Sequence, residues 1–184
     1  MFININFNDI GTVFNIFSVK KDNIDVIDVD WSGSRSQPGN LTDTTVTEKL
    51  KEITEFVGEL DISRNSLSAF PDFAKYRQLH SLEELFLYAN TIQTLEWENV
   101  PTQVQYIDLS YNQLENIPVV SQSSRCLQVK ELRLNKNRIQ TVEGSSIPPI
   151  VEIIHLDNNQ ITAVGDLSHL PLTKLDLDKN QLSD

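Results

Sequence analysis

The chain has 184 residues, enough for one domain with a sizeable core. Its 15 basic and 26 acidic residues give a net charge of −11, which disfavours nucleic acid or an anionic membrane surface as the main partner. Cys126 is the only cysteine, so no internal disulfide can form, and no apolar run approaches the roughly 20 residues that span a bilayer. Because the N-terminus also lacks a basic leader, we predict a cytoplasmic protein.

The first strands are predicted close to the N-terminus. Residues Ile3 to Phe7 alternate between apolar and polar side chains, residues 8–11 are turn-forming, and a second apolar stretch begins at Val13. This pattern is typical of a β-hairpin.

The motif L-x-x-L-x-L-x-x-N-x-L recurs along the rest of the chain. Its first copy follows the predicted hairpin and is degenerate. One frame places apolar positions at Ile24, Ile27 and Val29 and the asparagine position at Ser32. A second frame fits about equally well, and the two frames exclude each other because they overlap. The second frame uses Phe14, Phe17, Val19, Asp22 and Ile24. We favour the first frame, as a single leading repeat.

A helix is predicted after the turn-rich residues 32–40. Thr45 and Glu48 have the spacing of a capping box, in which two side chains satisfy the first free amides of a helix. The apolar positions that follow at helical spacing are Val46, Leu50, Ile53 and Phe56. We expect this helix to cover the outer face between the leading strand and the first clear repeat, so residues 1–56 are interpreted as an N-terminal cap.

Six copies of the motif fill residues 57–184. In each copy the central x-L-x-L-x segment alternates as in a short β-strand with one buried face. Each copy also has an asparagine, whose amide both donates and accepts, so that it can satisfy backbone groups where the chain turns after the strand. These asparagines are Asn65, Asn90, Asn112, Asn137, Asn159 and Asn180. They are separated by 25, 22, 25, 22 and 21 residues, so the repeats are irregular in length.

This motif resembles that of the leucine-rich-repeat family, and the shorter units resemble intracellular members, including the protein phosphatase-1 regulator class. The resemblance covers residues 57–184 and implies an α/β leucine-rich-repeat solenoid, with a curved parallel β-sheet on the concave face. Short helices, 3-10 turns and loops are expected on the convex face, including the extra residues 121–126 as a loop. A β-hairpin and helix would cap the N-terminal end.

Catalytic, cofactor and metal motifs are not recognisable in the sequence. The histidines His80, His155 and His169 are scattered, with no carboxylate or cysteine at metal-ligand spacing. The six glycines are isolated, so no phosphate-binding loop is predicted. We therefore predict a protein that is not an enzyme and that has no cofactor or metal.

The resemblance implies a protein partner on the concave face, where stacked strands align their outward residues in columns. Four aromatic residues cluster there on the second and third repeats: Phe86, Tyr88, Tyr106 and Tyr111. Exposed aromatic residues are common binding hot spots. Cross-strand pairing that stabilises the sheet is an equally good interpretation, and both can hold together.

A basic island of Arg133, Lys136 and Lys130 lies beside these aromatic residues in an otherwise acidic face. The favoured interpretation pairs these cations within the chain, with Asp108, Glu131 and Asp157. The predicted protein-binding residues are Phe86, Tyr88, Tyr106, Asp108, Tyr111, Arg133, Lys136 and His155.

Two other functions stay open at this stage. The last repeat ends at Asp184 without a convex segment, which predicts that a continuation of the chain or a partner subunit covers the open coil. In the first case the chain is the sensor or scaffold region of a longer signalling enzyme, such as a kinase or ligase. The glycosylation sequon at residues 40–42 is the basis for the third function, an extracellular recognition domain.

Overall fold

A computed structural model of the protein describes residues 2–3, 15–21, 24–33 and 39–183. The strands are β1 Phe2–Ile3, β2 Asn15–Lys21, β3 Ile24–Asp30, β4 Phe56–Asp61, β5 Glu84–Phe86, β6 Tyr106–Asp108, β7 Glu131–Arg133, β8 Thr141–Val142, β9 Ile153–His155, β10 Ala163–Val164 and β11 Lys174–Asp176. All except β8 and β10 form one nine-stranded sheet in chain order. In this sheet β2 is antiparallel to both β1 and β3, and from β3 onward each neighbouring pair is parallel. Strands β8 and β10 pair with each other in parallel.

Each repeat forms one coil of a solenoid. Leu85 and Leu87 have no exposed surface, whereas Phe86 between them lies on the other face of the sheet, as the pleat of a strand requires. After its strand the chain returns through irregular segments and, in the part of the chain that the structure describes, four short 3-10 helices. These are Arg77–Leu79, Trp97–Asn99, Ser123–Cys126 and Gly144–Ser146. The predicted leucine-rich-repeat solenoid is confirmed, although the extra residues 121–126 contain a 3-10 turn and not only a loop.

The repeated asparagines form a ladder between coils. The Oδ1 atom of Asn112 accepts a hydrogen bond from the Ile92 N–H (2.9 Å), in the preceding coil. Its Nδ2 atom donates to Leu87 O in that coil (3.0 Å) and to Leu109 O in its own coil (3.1 Å). Asn65, Asn90, Asn137 and Asn159 are equally buried, and each bonds its own and the preceding coil in the same way. Both halves of the amide are therefore used, which explains the preference for asparagine over aspartate.

The residue before each of these asparagines has a left-handed backbone conformation. The φ angles are 56° at Arg64, 55° at Ala89, 56° at Tyr111, 57° at Lys136, 57° at Asn158 and 56° at Lys179. An L side chain in this region costs about 1–2 kcal/mol. Each turn therefore stores strain, which the ladder hydrogen bonds offset.

Replacing Ala89 with glycine is expected to raise the free energy of unfolding by up to about 1.6 kcal/mol. Relief of the left-handed strain gains about 1–2 kcal/mol, and the larger entropy of the unfolded glycine chain removes about 0.4–1 kcal/mol of it. Urea denaturation followed by circular dichroism measures the change. Ala163→Gly, at an exposed site in β10 without a positive φ, is the control and should lower stability by about 0.5–1 kcal/mol. Equal losses in both variants would contradict the strain argument.

The leading repeat is present, but the favoured frame is wrong by two residues. Val29 pairs with Leu60 across β3 and β4, and Asn65 Nδ2 donates to Trp31 O (2.9 Å), so Val29 and Trp31 occupy the two strand positions. Both side chains are buried. Ser32 therefore corresponds to Ser63, and the asparagine position falls on residue 34, outside the described residues. A frame shift of two residues keeps the same side chains on the buried face. The alternation of apolar and polar residues alone therefore does not distinguish the favoured frame from the observed one.

The antiparallel pairing of β1 with β2 agrees with the predicted N-terminal hairpin, whose turn at residues 8–11 lies outside the described residues. The competing frame makes β2 a repeat strand. This frame is not supported, because β2 runs antiparallel to β3.

Helix α1 spans Asp43–Glu52 and begins earlier than predicted. Its N-cap is Thr42, whose hydroxyl accepts from the Thr45 N–H, while the Thr45 hydroxyl accepts from the Thr42 N–H (2.7 Å). The capping box thus joins Thr42 to Thr45, and the predicted box of Thr45 with Glu48 is wrong. The helix also ends before Phe56, which begins β4.

The helix covers the first repeat with one apolar face. Val46 and Leu50 have no exposed surface, and the Leu50 carbonyl accepts a hydrogen bond from Gln78 Nε2. At the N-terminal end of the helix, the Asp43 carboxylate accepts from the Ser68 N–H (3.0 Å) and the Ser68 hydroxyl (2.6 Å). The helix is therefore fixed against the return segment of the first repeat.

The last coil is less buried than the coils before it. Leu132 and Ile154 have no exposed surface, whereas Leu175 is 37% exposed and Leu182 is 47% exposed. Within the described part of the chain, α1 and the other helical segments are too short or too polar to cross a bilayer.

Candidate functional site

Strand register arranges the outward side chains in two columns along the sheet. The first column is Asp28, Glu59, Glu84, Tyr106, Glu131, Ile153 and Lys174, and the second is Asp30, Asp61, Phe86, Asp108, Arg133, His155 and Asp176. For the six repeats, both columns are those expected from the motif. Asp28 and Asp30 were missed because the expected columns covered only the six clear repeats and not the leading one.

The four aromatic residues, which we name the aromatic patch (Phe86, Tyr88, Tyr106 and Tyr111), form two pairs between adjacent coils, one across the strands and one just beyond them. The ring centroids of Phe86 and Tyr106 are 5.1 Å apart with a tilted geometry. Those of Tyr88 and Tyr111 are 6.1 Å apart and nearly perpendicular. Cross-strand pairing, one of the two interpretations of these residues, is thus present. It leaves Tyr111 48% exposed, so the patch remains accessible to a partner.

Three cations lie over the rings of the aromatic patch. The Arg64 guanidinium is 4.5 Å from the centroid of Tyr88, and the Lys136 ammonium is 4.6 Å from that of Tyr111. Arg133 is 5.4 Å from the centroid of Tyr106. Cation–π contacts of this kind restrict both the ring and the cation, so the patch is organised before any partner binds.

The basic island is only partly neutralised by carboxylates. Arg133 Nε donates to Glu131 Oε1 (2.8 Å), in agreement with the favoured intramolecular pairing. Lys130 Nζ instead donates to the amide oxygen of Gln105 (3.2 Å), and Lys136 contacts the Tyr111 ring. Asp108 adds a weaker electrostatic attraction to Arg133, and the described residues show no ion pair between this island and Asp157.

Tyr106 and Asp108 lie on successive outward positions of β6. Burial, reinforced by the negative charge of Asp108, raises the pKa of Tyr106 to about 12, so its hydroxyl stays neutral over the physiological range. The Asp108 Oδ1 atom accepts from the Ser110 N–H (2.8 Å), which orients this carboxylate at the strand end.

The N-terminal end of the two columns is acidic, and we name it the acidic end (Asp28, Asp30, Glu59, Asp61 and Glu84). Burial, and then repulsion from the other four carboxylates, raises the pKa of Glu59. Burial also raises the pKa of Asp61 and that of Asp28. Backbone hydrogen bonds, from Ser63 to Asp61 and from Glu59 to Asp28, lower these pKa values by less than burial raises them. The charged forms of these groups are therefore destabilised and would be favoured by a nearby cation.

At the other end of the sheet, His155, Asp157 and Asp176 come together. One ligand atom from each residue lies within 4.8 Å of the others, and all three side chains are half-buried. The expectation that no histidine has carboxylates at metal-ligand spacing is thus wrong for His155. The signal was present in the sequence, because the motif places His155 and Asp176 at the same position of successive repeats. His80 and His169 are exposed.

Comparisons with known proteins agree with this architecture. Residues 127–182 match the family model described as leucine rich repeat, and no curated protein matches the chain. The solved leucine-rich-repeat domain of APL1 is 25% identical, with a TM-score of 0.55 over 71% of this chain and 32% of that chain. The leucine-rich-repeat domain of APL1B is 25% identical, with a TM-score of 0.56 over 71% of this chain and 37% of that chain.

The chain thus spans about a third of the length of these solved domains. The asparagine ladder and the parallel sheet also identify the coil of this family. On its repeats, its fold and these similarities, the chain is a leucine-rich-repeat protein, with a fold that typically serves as a non-catalytic module for protein–protein interaction.

Proposed function

We propose that the chain is a non-catalytic module that binds a protein partner on the concave face, with the aromatic patch as the anchor. The observation that carries this proposal is the exposure of Tyr111 within a patch held by cation–π contacts. Because these side chains are already ordered, binding through them loses less conformational entropy than binding through free side chains. Aromatic and arginine residues are also those most often found at hot spots.

The charge pattern beside the patch supports a partner with a basic segment. The acidic end continues the same two columns, and its carboxylates have raised pKa values because they are partly buried and repel one another. A lysine or arginine of the partner would relieve this repulsion. Binding should therefore weaken as the pH falls and these carboxylates become protonated.

Replacing Phe86 and Tyr111 together with alanine is expected to weaken partner binding by at least about 30-fold, because a hot-spot truncation costs about 2 kcal/mol or more. The partner is first identified by placing a photo-crosslinking residue at position 111 and recovering the adduct. Its affinity for the parent chain and for the double variant is then measured by calorimetry with purified proteins.

Val119 provides the matched control, because it is 65% exposed and lies outside the strand columns. Val119→Ala should bind the partner as the parent chain does, and a crosslinker at position 119 should give no adduct with it. A double variant that has the parent circular dichroism spectrum and undiminished affinity would refute the aromatic anchor.

We place this binding in the cytoplasm, a proposal supported by the single cysteine. The sequon residue Asn40 is exposed, so its side chain is open to modification. A glycan on Asn40 of the natural protein would refute the cytoplasmic location and favour extracellular recognition.

A further inference from the structure

We propose that His155, Asp157 and Asp176 form a binding site for a transition-metal dication, Zn²⁺ above all, that links the last two coils. His155 and Asp176 are register partners on β9 and β11, and Asp157 follows His155 by two residues on the same coil. One ligand atom from each of the three side chains lies within 4.8 Å of the others. This separation lets a single ion contact all three after small side-chain rotations.

The donor set decides which ion fits. One imidazole with two carboxylates suits Zn²⁺, which accepts nitrogen and oxygen ligands and is often held by three protein groups and a water. Mg²⁺ and Ca²⁺ prefer sites made of oxygen ligands alone. The site would therefore select Zn²⁺ over Mg²⁺, and the fourth position would remain open toward the concave face.

Hydrogen bonds orient both carboxylates, and a third carboxylate lies near the imidazole. The Asp176 Oδ1 atom accepts from the Asp178 N–H (3.1 Å), and the Asp157 Oδ2 atom accepts from the Asn158 side-chain amide (2.6 Å). The carboxylate of Glu131 is 3.9 Å from His155 Nε2. A carboxylate near the imidazole and hydrogen bonds to ligand carboxylates are the outer partners that metal sites commonly have.

Electrostatics also favours a cation between these groups. Among the residues that the structure describes, neither Asp157 nor Asp176 forms an ion pair with a basic side chain. Arg133, the nearest cation of the same column, is engaged by Glu131 (2.8 Å). The two carboxylates therefore carry charge that a bound dication would neutralise.

A bound ion would act where the solenoid is least buried. It would connect β9 to β11, the last strand of the sheet, whose Leu175 is 37% exposed. Because a ligand that binds only the folded state stabilises it, saturating Zn²⁺ should raise the melting temperature and slow amide exchange in β11 most of all.

Titration of the whole chain with Zn²⁺ in a calorimeter is expected to show one ion per chain. His155→Gln and Asp176→Asn should each weaken this binding by about tenfold or more, since each removes a ligand. Asp178→Asn is the matched control, because it removes a nearby negative charge but none of the three proposed ligands. Its Zn²⁺ affinity should equal that of the parent chain. Mg²⁺ at the same concentrations should give no heat.

A second readout does not depend on affinity. Co²⁺ bound at this site should shift the ring proton resonances of His155 in NMR spectra and leave those of the exposed His80 in place. Absence of Zn²⁺ binding to the parent chain at millimolar concentration would overturn the proposal. Equal Zn²⁺ affinity in the parent, His155→Gln and Asp176→Asn proteins would overturn it too, since the ion would then be held elsewhere.

Discussion

Replacing Asn112 with aspartate is expected to lower the free energy of unfolding by about 3–5 kcal/mol at neutral pH, the range for a buried charge without a partner. Asn112 is 7% exposed, and its Nδ2 atom donates to the carbonyls of Leu87 and Leu109. A carboxylate in this position would face these carbonyl oxygens with no proton to donate. Urea denaturation at fixed pH measures the loss.

Asn112→Ala and the pH dependence separate charge from lost hydrogen bonds. The alanine variant leaves the Ile92 N–H without its acceptor and should lose about 1–3 kcal/mol at every pH. In the aspartate variant, burial raises the pKa of the introduced carboxyl, and protonation restores a donor. Its stability relative to the parent chain should therefore increase as the pH falls, whereas that of the alanine variant should not. Parallel pH profiles for the two variants would contradict this account of the ladder.

Replacing Trp97 with alanine is expected to lower the free energy of unfolding by about 3–5 kcal/mol, the range for removing a large aromatic residue from a core. Trp97 is 1% exposed and lies in the return segment of the second repeat. Its Nε1 atom donates to Pro118 O (2.9 Å), with Ser146 O at 3.2 Å, so one side chain connects three successive coils. Thermal and urea denaturation measure the loss.

Trp97→Phe divides this effect into packing and hydrogen bonding. The phenyl ring retains most of the buried apolar surface but cannot donate to either carbonyl, so we expect a loss of about 0.5–1.5 kcal/mol for the hydrogen bond, in addition to a smaller packing term. Val119→Ala, at an exposed position, should change stability by less than about 0.5 kcal/mol. A phenylalanine variant as unstable as the alanine variant would show that the indole hydrogen bond dominates.

The repeats could be predicted from the sequence because each position of the motif has a single physical role. The leucines at strand positions are buried, and the asparagines bond adjacent coils in each of the repeats from Asn65 to Asn159. The motif therefore also predicts which side chains face outward, and the aromatic patch was found in this way.

The N-terminal cap was harder to predict because its signals are local and degenerate. The apolar alternation before Trp31 fits two registers that differ by two residues, and only pairing with Leu60 and Asn65 distinguishes them. Several hydroxyl residues near the start of α1 could cap it. Thr42 is the N-cap because the preceding residue, Leu41, is held to the first repeat by a hydrogen bond from the Ser66 N–H to its carbonyl.

The outward positions of the side chains on the sheet could be predicted, but not their contacts. Cation–π contacts such as Lys136 over Tyr111 depend on side-chain conformation, which the order of residues does not determine. The grouping of His155, Asp157 and Asp176 was missed for a different reason, because familiar metal motifs are local in sequence whereas this group spans two coils.

The asparagine ladder has a direction, and this direction has a kinetic consequence. Each side chain bonds its own coil and the coil before it: Asn180 donates to Leu177 O in its own coil (2.8 Å) and accepts from the Ile161 N–H in the preceding coil (3.0 Å). Within the ladder, each asparagine thus couples its coil only to the preceding coil, as in a one-dimensional array of units. Its C-terminal coil, with the most exposed leucines, is where unfolding should start. From there the boundary between folded and unfolded chain should move toward the helix-covered end, one coil at a time.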